Sequence, residues 1–135
     1  MHPRTLAAFE KYKLNLPHEN ITICEPLGFK HYIELQKKAR LVLSDSGTIS
    51  EEASILGFHA INLRENHERH EAMEFGAVIF TGLNVDRVCQ AVEYLISTKI
   101  DVVCSDWYLR ENVSETVAKI ILSYVDKVNA EIWRK

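Results

Sequence analysis

Leu43-Ser44-Asp45-Ser46-Gly47-Thr48-Ile49-Ser50-Glu51-Glu52 runs from the end of an apolar strand, through small polar residues, straight into the first turn of a helix. At such a junction the first backbone N–H groups lack partners and carry the positive end of the helix dipole. Gly47 permits close approach of an anion and Ser46 adds a hydroxyl, so the stretch describes a site that a diphosphate would fit. The same residues also describe a plain helix start, in which Ser46 or Thr48 caps the helix and Thr48 with Glu51 forms a capping box. The two readings are compatible.

Working outward, Arg40–Ser44 is predicted as a strand and Ile49–Leu56 as a helix stopped by Gly57. Upstream, Pro3 opens a helix through Tyr12, Ile21–Cys24 is expected to be a short buried strand, and a helical stretch covers His31–Lys38. Downstream, Ala60–Leu63 and Ala77–Phe80 are predicted strands. The charged connection Arg64–Phe75 lies between them, and loops of that kind often carry function. Two longer helices follow, Val85–Ile96 and Val113–Trp133, each with apolar residues on one face.

Strands alternating with helices predict an α/β fold: a Rossmann-like, three-layer parallel sheet with helices on both faces, in a single domain over residues 1–135. A doubly wound sheet normally opens on a strand, whereas this chain opens on a helix. The expectation is that a preceding N-terminal partner domain is absent.

Composition narrows the function classes. A length of 135 residues suits one domain, and 47% hydrophobic with 26% charged residues is typical of a folded globular chain. Sixteen basic against 19 acidic residues give a net charge of -3, which argues against nucleic acid as a partner. Cys24, Cys89 and Cys104 are dispersed and odd in number, which suits a reducing, cytoplasmic setting and no disulfide framework. No signal-peptide core or membrane span is expected, which leaves the sequons at Asn20 and Asn112 accidental. His67, Glu68 and His70 lack the helical spacing of zinc ligands, so no metal site is expected. Asp45 and Ser46 adjoin without a nucleophile-elbow pattern, so no self-contained catalytic set is present.

Ser44-Asp45-Ser46-Gly47, Glu51-Glu52-Ala53, Gly57, Arg64 and Glu68-Arg69, with Glu25-Pro26-Leu27-Gly28 and His2-Pro3-Arg4-Thr5 upstream, resemble the C-terminal domain of the non-hydrolysing UDP-N-acetylglucosamine 2-epimerase family. The resemblance implies the C-terminal half of a two-domain, GT-B-like fold, with UDP or a UDP-sugar held across a cleft. It places the phosphates at Ser46 and Gly47, Arg69 beside them, the ribose hydroxyls on Glu52 and the uracil against Tyr32. His2, Thr48 and Arg64 fall near the cleft. Read without the resemblance, Tyr32 is an ordinary aromatic on a helix face, Arg64 a structural residue and Arg69 a solvated loop charge.

The implied activity is an isomerase that inverts C2 of a UDP-sugar by eliminating and re-adding UDP, without a cofactor. The family's acid-base residues come from before Met1, so this chain is expected to hold no catalytic residue and to be inactive alone. The segment from Asn112 to Trp133 is similar to a branch in capsule or O-antigen synthesis, including enzymes making UDP-N-acetyl-L-fucosamine. The chain departs from the family's common pattern at Thr48, where a second glycine is usual, and at His59, where proline is frequent. The last helix normally crosses to the first domain, so its stripe Val117, Ile121, Tyr124, Val128 and Ile132 is expected to be partly bare and to drive homo-oligomerisation. Other readings are the donor domain of a GT-B glycosyltransferase, a non-catalytic nucleotide-sugar module, and a flavodoxin-like receiver. The last lacks the acidic cluster that a receiver requires.

Overall fold

A computed structural model describes residues 3–14, 19–66, 68–98 and 101–134. His2, one of the cleft candidates, and His67 lie outside the described residues. The chain divides into two compact units, residues 1–40 and 41–135.

The first unit carries α1 (Pro3–Tyr12) and α2 (Phe29–Lys38). The expected strand Ile21–Cys24 is not formed: the backbone is irregular and Ile21 and Ile23 are 49% and 46% exposed. A strand of a parallel sheet is stabilised by cover on both faces, and two half-exposed isoleucines do not supply it.

The second unit is the α/β layer structure. Its order is β1 (Val42–Ser44), α3 (Ile49–Leu56), β2 (Ala60–Asn62), α4 (Glu71–Glu74), β3 (Val78–Phe80), α5 (Val85–Ser97) and α6 (Val113–Val128), continued by a π-helical turn, Asn129–Trp133. The strands are parallel in the order β1-β2-β3, with Val42, Ala60 and Val78 in register. Parallel neighbours need crossovers, and α3 and α4 supply them.

All three residues of β2 are buried, so both faces of the sheet are covered. Ala60 and Val78 pack with Ile49, Ala53, Phe58, Ala72 and Ala77 on the α3 and α4 face. Side chains alternate along a strand, so Ile61 and its register partner Ile79 look the other way. There Ile79 lies beside Ala91 and Tyr94 of α5. Helices on both faces of a parallel sheet are the Rossmann-like arrangement anticipated above.

Gly57 ends α3 in the left-handed region, at φ 73°, with its N–H donating to the Ala53 carbonyl at 3.0 Å. Asn84 caps α5, its side chain accepting from the Arg87 N–H at 3.1 Å. No residue of α6 is buried. Among the described residues, no helix is long and apolar enough to cross a membrane.

Candidate functional site

Parallel strands direct their carboxyl ends to one edge, where ligands of open α/β sheets bind. Here Ser44 and Asn62 end β1 and β2 side by side. The loops beyond them, with Leu83 after β3, border an open cleft of about 410 Å³ lined by Asp45, Leu63, Arg64, Glu65, Asn66 and Leu83.

The turn between β1 and α3 is folded on its own hydroxyls. The Ser46 N–H donates to Ser44 Oγ at 3.0 Å, and the Thr48 N–H to Ser46 Oγ at 3.3 Å. Ser46 Oγ and Thr48 Oγ1 are 2.9 Å apart, and Thr48 Oγ1 donates to Glu52 Oε1 at 2.7 Å. A hydroxyl has one hydrogen to give. Thr48 gives its hydrogen to Glu52, so the Ser46 hydroxyl is the donor to Thr48. A relay Ser46→Thr48→Glu52 thus joins the residue expected at the phosphates to the one expected at the ribose.

The capping box does not form. Thr48 sits in the right-handed helical region and its side chain makes no cap hydrogen bond, while Glu51 turns away toward Arg69. Glu51 and Glu52 still occupy the first turn of α3, where carboxylates complement the dipole.

Arg64 and Arg69 converge on Gly47. A Cβ at position 47 would lie 2.8 Å from Arg64 Nη1 and 3.3 Å from Arg69 Nη1. The glycine is required for the room it leaves, since its backbone is not left-handed. Buried Asn62 steers the first of these arginines, its Oδ1 accepting from the Arg64 N–H at 2.9 Å. Among the described residues Arg64 has no carboxylate partner within ion-pair distance. Arg69 is not simply solvated: its Nε donates to Glu51 Oε1, and its Nη1 lies 4.0 Å from Glu68 Oε2. Two guanidinium groups at one glycine, beside the N-terminus of a helix, form a cationic seat suited to a diphosphate.

Tyr108 was not anticipated. It packs, partly buried, against the α3 and α4 core, in a segment pinned by fully buried Ser105. The Ser105 carbonyl accepts from the Tyr108 N–H at 3.0 Å, and its Oγ from the Trp107 N–H at 3.3 Å. Burial first, then the Glu71 and Glu51 carboxylates, raise the phenol pKa above its ordinary value, against the opposing pull of Arg69. Nothing in the irregular run around Trp107 and Tyr108 signalled in sequence which ring would turn inward.

The structure therefore brings together Ser46, Gly47, Thr48, Glu52, Arg64 and Arg69 of the expected set. Tyr32 lies on α2 of the first unit, 38% exposed. No group of side chains able to hold a metal ion occurs among the described residues.

Residues 1–122 match the sequence profile of the family described as UDP-N-acetylglucosamine 2-epimerase. The chain is 41% identical over 105 residues to a UDP-N-acetylglucosamine 2-epimerase of Methanocaldococcus jannaschii, covering 73% of this chain and 28% of that protein. Among solved structures, the UDP-N-acetylglucosamine 2-epimerase of Rickettsia bellii superposes with a TM-score of 0.69 at 38% identity, over 99% of this chain and 38% of that one. The M. jannaschii enzyme in complex with UDP-GlcNAc and UDP superposes with a TM-score of 0.68 at 33% identity, over 90% of this chain and 34% of that one. The chain thus spans well under half the length of these relatives.

Proposed function

This chain belongs to the UDP-N-acetylglucosamine 2-epimerase family, and we propose on that premise that it is the UDP-binding portion of a UDP-sugar 2-epimerase with a two-domain, GT-B-like frame. The convergence of Arg64 and Arg69 on Gly47 carries the reading. In it the diphosphate rests on the backbone at Ser46 and Gly47, between the two guanidinium groups. The ribose hydroxyls donate to Glu52, whose ionised carboxylate accepts more than one hydrogen bond. Tyr32 as the aromatic neighbour of the uracil rests on the sequence resemblance alone. That the M. jannaschii neighbour is a complex with UDP-GlcNAc and UDP supports a ligand of this class.

The reaction we assign to the full-length enzyme removes the proton at C2 as the C1–O bond to UDP breaks, which gives a glycal-like intermediate and free UDP. Re-addition of UDP with a proton delivered to the opposite face inverts C2. The function of this portion is to hold UDP through both steps, so that addition is intramolecular in effect. Acid-base groups at C2 belong to the remainder of the enzyme, and this chain alone is inactive. Its setting is the cytoplasm, in the supply of sugars for surface polysaccharide. The bare face of α6 serves self-association of this chain.

The ribose assignment is tested by comparing UDP with 2′,3′-dideoxy-UDP. Wild type should prefer UDP by about tenfold or more, and Glu52→Ala should bind the two equally. Equal binding by wild type would remove Glu52 from the site.

A further inference from the structure

We propose that Glu51 is a positioning residue that holds the Arg69 guanidinium with its outer edge toward Gly47, a role that rests on the diphosphate reading of the site.

An arginine on a loop presents five N–H donors but loses rotamer freedom when one edge must face a ligand. Glu51 removes that freedom in advance. Its Oε1 takes the Nε hydrogen, on the inner side of the guanidinium, and leaves the Nη groups to point outward. Arg69 Nη1 is the group found beside the vacant Cβ position of Gly47. Both side chains are about one-third exposed, 35% and 30%. An ion pair in such a place contributes little to stability. Its geometry, which selects one face of the guanidinium, is the more informative property.

The second carboxylate oxygen gives the independent observation. Glu51 Oε2 is buried without a hydrogen-bond partner among the described residues. A buried acceptor left unmade is destabilising and calls for a reason. The Tyr108 hydroxyl is likewise buried without a hydrogen-bond partner and does not satisfy it, so Glu51 is held through Oε1 and Arg69 alone. The chain of influence runs from Glu51 to Arg69 to the diphosphate, and only Arg69 touches the ligand.

Positioning and charge make opposite predictions. A carboxylate beside an anion site repels the anion, so if Glu51 acted through its charge alone, its removal would tighten UDP binding. If it acts by holding Arg69, its removal weakens UDP binding despite the gain in local positive charge.

Arginine side-chain nitrogen-15 NMR and UDP titration on the whole chain test this together. The Arg69 Nε–H resonance is expected to be protected from solvent exchange in the wild type and in Glu51→Gln, which keeps a carbonyl acceptor. It should be exchange-broadened in Glu51→Ala. Glu51→Ala should weaken UDP about tenfold, with no further loss when Arg69→Ala is added, and Glu51→Gln should stay within about twofold. UDP-dependent shifts at the Ser46 and Gly47 amides with Arg69 unmoved, or unchanged or tighter UDP binding by Glu51→Ala, would overturn the positioning role alone. Absence of any UDP-dependent shift at those amides would overturn the diphosphate site, and this role with it.

Discussion

Glu51 and Arg69 stand 18 residues apart in sequence and meet through the guanidinium Nε, which ties the first turn of α3 to the loop beyond β2. The Nη side of the same guanidinium reaches Gly47, where Arg64 Nη1 also arrives. Two arginines of one connection are thereby gathered at the strand-to-helix turn whose residues already suggested an anion. The fold supplies this through parallel register, since Ser44 and Asn62 end at the same level and their following loops must share the sheet edge.

Gly47→Ala should separate binding from stability. The new methyl would meet only the mobile ends of Arg64 and Arg69, at 2.8 and 3.3 Å, and the backbone is not left-handed. Unfolding free energy should change by less than about 1 kcal/mol, while UDP affinity falls about tenfold or more. Thermal melting and calorimetry check the two; a lowered melting point with intact affinity would contradict this account of Gly47.

Thr48→Val tests the hydroxyl relay. Without the Thr48 hydroxyl, Glu52 loses its donor at 2.7 Å and the Ser46 hydrogen loses its acceptor. UDP binding should weaken by about 1 kcal/mol in wild type and hardly at all in a Glu52→Ala background. Equal losses in both backgrounds would show that the relay does not reach Glu52.

Gly57→Ala should cost about 1 kcal/mol of stability, because the residue caps α3 at φ 73° and a Cβ there meets nothing, so the loss is conformational. Gly28→Ala is the comparison, at φ −64° and also in open space, where no left-handed strain arises and any loss comes from the N-cap of α2. Urea denaturation of both variants reads the difference.

Much of this was legible in sequence, and unevenly so. The helix Ile49–Leu56 and its Gly57 stop were predicted with correct ends, because a left-handed cap and a local apolar period are short-range signals. The strand expected at Ile21–Cys24 failed because its two isoleucines stay half exposed, a property set by tertiary cover rather than by the residues themselves. The four-residue helix α4, Glu71–Glu74, was hidden within a stretch read as a polar connection. At the site, Ser46, Gly47, Glu52 and Arg69 came from motif and resemblance. Glu51 was read as a capping residue because its local partner, Thr48, was the only one visible in one dimension; its actual partner is supplied by the fold. Tyr108 could be found only once the Ser105 anchor placed it against α3 and α4.

The raised pKa of Tyr108 sets a pH dependence. A phenol whose folded-state pKa lies above its unfolded value contributes stability that is complete below about pH 10, the unfolded value. That contribution is lost as pH rises through the folded value. Absorbance titration of wild type minus Tyr108→Phe should place the Tyr108 midpoint above the ordinary tyrosine value. Glu51→Ala should move it downward, because the Glu51 carboxylate is one of the groups that raises it, after burial and Glu71. A midpoint unmoved by that substitution would separate Glu51 from Tyr108.

Ile120, Ile121, Tyr124 and Val125 of α6 are each 46–59% exposed and line an apolar groove of about 370 Å³ with Val128 and Trp133. Exposed apolar surface of this kind favours association. Sedimentation velocity should show mass rising with concentration, and Ile121→Glu should suppress the rise; a monomer at all concentrations would refute self-association through this face.

The central claim is that residues 44–69 hold a nucleoside diphosphate, and calorimetric titration of this chain with UDP tests it most directly, alongside Ser46→Ala, Glu52→Ala and Arg69→Ala. The account predicts saturable binding that each substitution weakens without lowering the melting temperature. Binding that none of the three alters would place UDP elsewhere, and the convergence of two arginines on Gly47 would then be a structural feature of the loop and no part of a ligand site.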